Sequence, residues 1–158
     1  MQYVKSHEEL KHMTVGSFNP CAGGDAMTKH PEYFVDVKAF ICPQPASMNI
    51  MSQITLDAQG LGDYMDELDF EQIKAGRFKS SNMSPHHYAA NVKVPTFIIQ
   101  VRDDAWTVPS DVQTTFDLIP GDDKKLFWVE GTTRRFDGYN YFGENPEQMI
   151  EFYNKYMK

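Results

Sequence analysis

The sequence predicts an α/β fold of about four parallel strands with flanking helices. Three observations carry this expectation: short apolar runs of strand length recur along the chain, helix-forming segments separate them, and turn-forming residues close each run. At 158 residues with 41% hydrophobic side chains, there is material for one core, and residues 1–158 are expected to form a single domain.

The first strand is expected over Met13 to Phe18, an apolar run that stops at Asn19-Pro20. After Cys21, the stretch AGGDAMTKHPEYF suits a helix whose two opening glycines permit close backbone approach. Pro31 ends that helix after His30. Val37 to Cys42 gives a second buried strand, closed by the breaker-rich PQPAS. From about 49 to 80 the chain turns polar, methionine-containing and helical, with Asp69 as an N-cap before Phe70 and Ile73. Such an insert suits a lid or cap. Ser84 and Pro85 open a short helix through Tyr88 and Ala90, and VPTFIIQV supplies the clearest strand. The loop RDDAWTVPSD then leads into a helix with Val112, Phe116 and Ile119 on one face, ended by Pro120-Gly121. Lys125 to Val129 is the fourth strand. The segment EGTTRRFDGYNYFGE is expected as a loop reaching Asn145-Pro146. There the last helix starts, with Met149, Ile150, Tyr153 and Met157 as its apolar stripe. Right-handed crossovers between parallel strands bring the loops after Phe18, Val101 and Val129 to one rim, where open α/β sheets place ligands.

Composition narrows the partners. A net charge of −7 repels phosphate backbones and anionic lipid, and no basic cluster offsets it, so neither nucleic acid nor membrane is an expected partner. The start MQYVKSHEELKHM lacks an export signal, and no stretch is apolar enough to span a bilayer, so a cytoplasmic location is expected. The two cysteines, Cys21 and Cys42, are expected as free thiols. No cofactor is expected. A metal site on His86 and His87 would need further ligands that the sequence does not place.

The first rim loop reads NPCAG and resembles the nucleophile elbow G-x-S-x-G, with Asn19 at the first glycine, Cys21 at the nucleophile and Gly23 retained. The elbow is a strained turn from strand to helix, which is why it needs small neighbours. A buried structural cysteine beside a turn is the alternative reading of this motif alone. The second loop reads VRDDAWTVP and the third GTTRRF. Together with KHPEYFVDVKAFICPQPAS and FDGYNYFGENPE, these segments resemble the α/β-hydrolases related to the dienelactone hydrolases, in order and through almost the whole chain. The resemblance implies Cys21 as nucleophile and Asp104 as acid, with Asp103 its neighbour. It implies the amide of Ala22 as an oxyanion donor and places Arg134 where the family carries histidine. Trp106 and Tyr139 would wall a pocket for a small-molecule ligand, although core packing is the commoner fate of such aromatics.

The same resemblance sets the functional expectation. About four further strands precede the elbow strand in the family, whereas twelve residues precede Met13 here. The chain is therefore expected to hold the C-terminal half of the fold. The early loop that supplies a second oxyanion donor is then lacking, and losing one such donor costs about 100- to 1000-fold in turnover. Arginine cannot shuttle protons near neutrality, because its pKa lies above about 12. Arg134 would either favour the thiolate of Cys21 or pair with Asp103 or Asp104 in a salt bridge. His7, His12 and His30 offer no evident replacement base. The expected function is a catalytically degenerate binding or assembly module, with a cysteine-nucleophile hydrolase of small esters or lactones as the alternative. Without earlier strands, Met13 to Phe18 becomes a sheet edge, for which a homodimer through that edge is the expected cover.

Overall fold

The computed structural model describes residues 2–21, 23–24, 28, 30–45, 88–104 and 109–158. The expected insert over 49–80 lies outside them, as do Ala22, His86, His87 and Trp106. Four strands, β1 (Val15–Phe18), β2 (Val37–Pro43), β3 (Thr96–Val101) and β4 (Lys124–Val129), form one sheet in the order β1-β2-β3-β4. Each neighbouring pair is parallel, and Phe18, Ile41 and Phe97 lie in register across the first three strands. The described helices are α1 (Gln2–Ser6), α2 (Pro109–Leu118), α3 (Arg135–Glu144) and α4 (Glu147–Tyr156). This is the α/β architecture expected from the alternation of apolar runs and helical segments.

Both faces of the sheet are covered, so the central strands are apolar on both sides. Every residue of β3 is buried. On one face Phe40, Cys42 and Ile98 pack with Val112 and Ile119, which belong to α2 and the turn after it. Lys124 at the start of β4 fastens that helix by donating to the carbonyls of Phe116, Asp117 and Ile119 at 2.9, 3.2 and 2.7 Å. A lysine there satisfies carbonyls that have no partner within the helix. On the other face Ala39, Ile41, Phe97 and Ile99 pack with Phe142 of α3 and Phe152 of α4. The ring of Phe97 lies 5.5 Å from each of those two phenylalanine rings, inclined to both, the offset geometry that aromatic quadrupoles favour.

Two local expectations change. Arg135–Glu144 is helical, not a loop. Its two glycines, two tyrosines and two asparagine or aspartate residues are poor helix formers. Tertiary packing of Tyr139 and Phe142 offsets that weakness. Before β3, the end of the short helix expected from Ser84-Pro85 through Tyr88 and Ala90 is a 3-10 turn at Ala89–Asn91, while its opening lies outside the described residues.

Strand β1 forms one edge of the described sheet and is only partly buried. Helix α4 clamps it. A Cβ on Gly16 would meet Tyr153 Cε1 at 2.6 Å and Met157 Sδ at 2.7 Å, so only glycine lets the helix lie this close. The Tyr153 hydroxyl donates to the Ser17 carbonyl at 2.8 Å. Burial pushes the Tyr153 hydroxyl up to about 12, from an ordinary value of 10.0. The unfolded chain therefore releases this proton at a lower pH than the native one. Its contribution is fully present below pH 10 and is lost as pH rises toward about 12. Tyr153→Phe is expected to cost about 1 kcal/mol at neutral pH through the lost hydrogen bond. It should also flatten the alkaline fall in stability, and urea unfolding followed against pH checks both effects.

Candidate functional site

The site is built where β1, β2 and β3 end and α3 begins. Strand β1 stops at Phe18, and Asn19 N–H still reaches the Ile41 carbonyl at 2.9 Å. The chain then turns sharply, with Cys21 N–H donating to the Pro43 carbonyl at 3.0 Å and Gly24 N–H donating to the Cys21 carbonyl at 3.0 Å. Cys21 adopts a left-handed backbone, φ +53°, which a residue with a Cβ rarely takes without a compensating constraint. Gly23 and Gly24 that follow are helical. This is the strand-turn-helix shape of a nucleophile elbow. The tight approach falls on Gly24, where a Cβ would collide with Cys42 Sγ. Gly23, which occupies the motif's last position, has only an ordinary contact with Asn19.

Beyond β3, Asp104 is buried and Asp103 is exposed. Gln100 Nε2 donates to Asp104 Oδ2 at 3.0 Å. The same carboxylate oxygen accepts from Arg135 Nη1, also at 3.0 Å, with side-chain exposures of 1% for the aspartate and 14% for the arginine. The cation in this cluster is Arg135. Arg134, which the motif comparison aligned with the family's histidine, has a side chain 79% exposed and lies 3.7 Å from Asp137.

The displacement by one residue follows from where α3 starts. Arg134 is the extended N-cap, φ −87° and ψ 110°, and Arg135 is the first helical residue. Its side chain then shares a face with Gly138, Tyr139 and Phe142, the i+3, i+4 and i+7 positions. Thr132 Oγ1 accepts from the Arg134 N–H at 3.1 Å and donates to Asp137 at 2.6 Å. That arrangement fixes the helix start, with an acidic residue in the first turn as the helix dipole favours. The 135, 138, 139, 142 spacing was visible in the sequence but was hidden by reading the segment as a loop.

Arg135 uses most of its donors. Nε donates to the Tyr139 hydroxyl at 2.9 Å, Nη2 donates to the Gln44 carbonyl at 2.8 Å, and Nη2 also lies 4.0 Å from Cys21 Sγ. The Tyr139 ring also lies 5.4 Å from the Arg135 guanidinium carbon, measured to the ring centre. Burial, with Cys21 nearby, pushes Tyr139 up to about 12, against the opposing charge of Arg135. For Arg135, burial opposes the charge, but Tyr139 and Asp104 outweigh it and raise the guanidinium above its ordinary value. Arg135 is therefore a permanent cation and Tyr139 a hydroxyl that keeps its proton.

Gln44 supports the cluster from beneath and was not singled out from the sequence. It is fully buried with φ +54°. Its Nε2 donates to the Arg135 carbonyl at 2.9 Å, and its Oε1 accepts from the Val101 N–H at 3.2 Å. Gly138 is required above it, because a Cβ there would overlap the Gln44 amide. The available signal was a lone amide between two prolines on a rim loop.

Two described histidines lie outside this cluster. His30 is exposed and pairs with Glu32 at 3.1 Å, and His7 packs against Tyr3. Among the described residues no group of three or more histidine, cysteine, aspartate or glutamate side chains could hold a metal ion. No described helix is long and apolar enough to cross a membrane.

A parallel sheet with helices on both faces and an elbow at the rim define the α/β-hydrolase fold, and solved structures of that fold match the chain. An esterase of Pyrococcus furiosus matches with 15% identity and a TM-score of 0.68, over 99% of this chain and 59% of that one. A dienelactone hydrolase of Anabaena variabilis matches with 14% identity and a TM-score of 0.63, over 99% and 56% of the two chains. An acetyl xylan esterase of a Paenibacillus species matches with 14% identity and a TM-score of 0.66, over 98% and 49%. The chain thus spans about half the length of these hydrolases. No family model matches the sequence, and no curated protein matches it significantly.

The two arginines are expected to separate cleanly on substitution. Arg135→Ala leaves Asp104 buried without its counter-charge and should cost about 3 kcal/mol, whereas Arg134→Ala removes only an exposed contact and should change stability by less than about 0.5 kcal/mol. Chemical denaturation of both variants beside the parent protein measures the difference.

Proposed function

We propose that this chain is an α/β-hydrolase-fold domain that has lost hydrolytic turnover and serves as a binding or assembly module. The observation that carries this reading is the Arg135 guanidinium set between Cys21 and Asp104. Acyl transfer needs a group at that point that takes the proton from the nucleophile and returns it to the leaving group. A guanidinium cannot do either near neutral pH, and the removal of general acid-base catalysis costs about 100- to 10,000-fold. Asp104 is engaged by that cation. Turnover of short activated esters by the purified protein is expected to equal that of Cys21→Ala. Turnover that disappears with the substitution would instead establish a cysteine-nucleophile hydrolase of small esters or lactones. The left-handed Cys21 backbone favours this second reading, because strain is retained where a nucleophile would stand.

The assembly role rests on β1. Among the described residues, its outer edge has no neighbouring strand, and Met13 and Phe18 expose 61% and 42% of their surface beside it. A second copy fits this edge, since two identical edges related by a two-fold axis complement each other and close. Sedimentation at micromolar concentration is expected to give a dimer mass that falls to the monomer when Phe18, whose N–H alternates with the β2-facing amide of Asn19, is replaced by proline. A monomeric parent protein would refute the edge-to-edge dimer.

A further inference from the structure

Strand β1 alternates its backbone between β2 and the outer edge of the described sheet. The Asn19 N–H reaches the Ile41 carbonyl, so Ser17 and Asn19 turn their backbone groups to β2, while those of Gly16 and Phe18 face outward. Side chains alternate in the same way. Gly16 and Phe18 belong to the face covered by α3 and α4, where the Phe18 ring lies 6.1 Å from that of Phe142 and Gly16 lies against Tyr153 and Met157. Ser17 belongs to the opposite face, which borders a groove of about 480 Å³ walled by Tyr33, Phe34 and Val37. Of the two outward residues, one has no side chain and the other leaves 42% of a phenylalanine in water.

A two-fold axis across the sheet sets two such edges antiparallel, and residues that both face outward exchange hydrogen bonds. A slip of one residue pairs nothing, because it sets an outward residue against one turned to its own β2. Gly16 against Pro20 lacks an N–H. Gly16 against Gly16 leaves each Phe18 ring beside exposed Thr14. Gly16 against Phe18 satisfies both outward residues and lays each ring beside the bare backbone of the other copy's glycine, as an aromatic residue protects an edge glycine.

The surroundings accept this arrangement. Helix α4 packs over β2, so the two α4 axes stand about three strand spacings, or about 14 Å, apart. Helices in contact lie about 8–10 Å apart, so these do not collide, and Phe18, Tyr153 and Met157 of both copies fill the space between them. A net charge of −7 opposes self-association. Beside the start of β1, however, charges are already paired within the chain, Lys5 with Asp36 at 2.8 Å and Lys11 with Glu8 at 2.6 Å.

We infer that two copies pair antiparallel about a two-fold axis through Ser17, with Phe18 of each copy opposite Gly16 of the other. This register rests on the edge-to-edge dimer and names the residues that meet in it. Each Ser17 then faces its own counterpart in a pair that exchanges no backbone hydrogen bonds, with Cα atoms about 4.5 Å apart. That separation lies within the range of about 4.4–6.8 Å that a disulfide spans.

The test introduces a thiol on the axis. Ser17→Cys in the whole chain, mildly oxidised at micromolar concentration, is expected to give a covalent dimer, and peptide mapping is expected to assign the bond to the two introduced thiols and not to Cys21 or Cys42. Phe18→Ala is expected to raise the dimer dissociation constant at least about tenfold, the scale set by uncovering an aromatic side chain. Near-ultraviolet circular dichroism reports whether that variant keeps its packing on Phe142, and the disulfide stays informative if it does not. A dimer that dissociates with Phe18→Pro yet forms no bond between the introduced thiols would overturn the register and leave edge pairing standing. A dissociation constant unchanged in a folded Phe18→Ala would do the same, whereas a monomeric parent protein removes the edge dimer and the register together.

Discussion

The rim of this domain depends on one buried ion pair, the guanidinium of Arg135 on the carboxylate of Asp104. Removing two charges from water is costly, and mutual attraction repays that cost only when the remaining donors and acceptors are also satisfied. Here they are met from three directions: Gln100 supports the carboxylate, the Gln44 carbonyl takes a second guanidinium donor, and the Tyr139 hydroxyl takes a third. The pair therefore ties the end of β3 to the start of α3, and the Gln44 backbone brings in the end of β2. Gln44 closes the circuit, with its side chain spanning from the Val101 amide to the Arg135 carbonyl. Two glycines follow from the same geometry, since Gly138 leaves room for the Gln44 amide and Gly24 leaves room for Cys42.

A histidine at the position of Arg135 would be a proton relay that switches state near neutral pH. An arginine is a fixed charge with more donors and a longer reach. Its donor count suits the structural contact to the acid, whereas proton relay is outside its chemistry near neutral pH. Elbow strain at Cys21 and burial of Asp104 thus coexist with a fixed cation between them. Both belong to the framework of the rim, which the ion pair still holds together.

The sheet is asymmetric in how it is protected. Strands β2 and β3 are flanked by neighbours and covered by helices, whereas among the described residues β1 ends the sheet and packs against Tyr153 of α4 and Met157 just after it. The close seating of α4 over Gly16 shields part of the edge strand from water.

Much of the fold was legible because its signals are local. Apolar runs ending in Asn19-Pro20, in PQPAS and before Pro120-Gly121 mark strand and helix limits within a residue or two, and alternation with helical segments specifies parallel pairing. The elbow cysteine and the buried aspartate were likewise readable from their loops. Helix α3 was not, because its glycines and aromatic residues have weak intrinsic preference and are helical only through packing on the sheet. The identity of the site arginine depended on that helix. Successive residues of a helix point about 100° apart, so placing its first turn at Arg135 sends that side chain toward Asp104 and leaves Arg134 in solvent. Sequence alone thus determined the α/β class, the parallel strands and the arginine pair in the loop after the fourth strand. Only the tertiary structure decided which arginine, since the choice rests on long-range contacts with Gln44, Asp104 and Cys21 that no local pattern encodes.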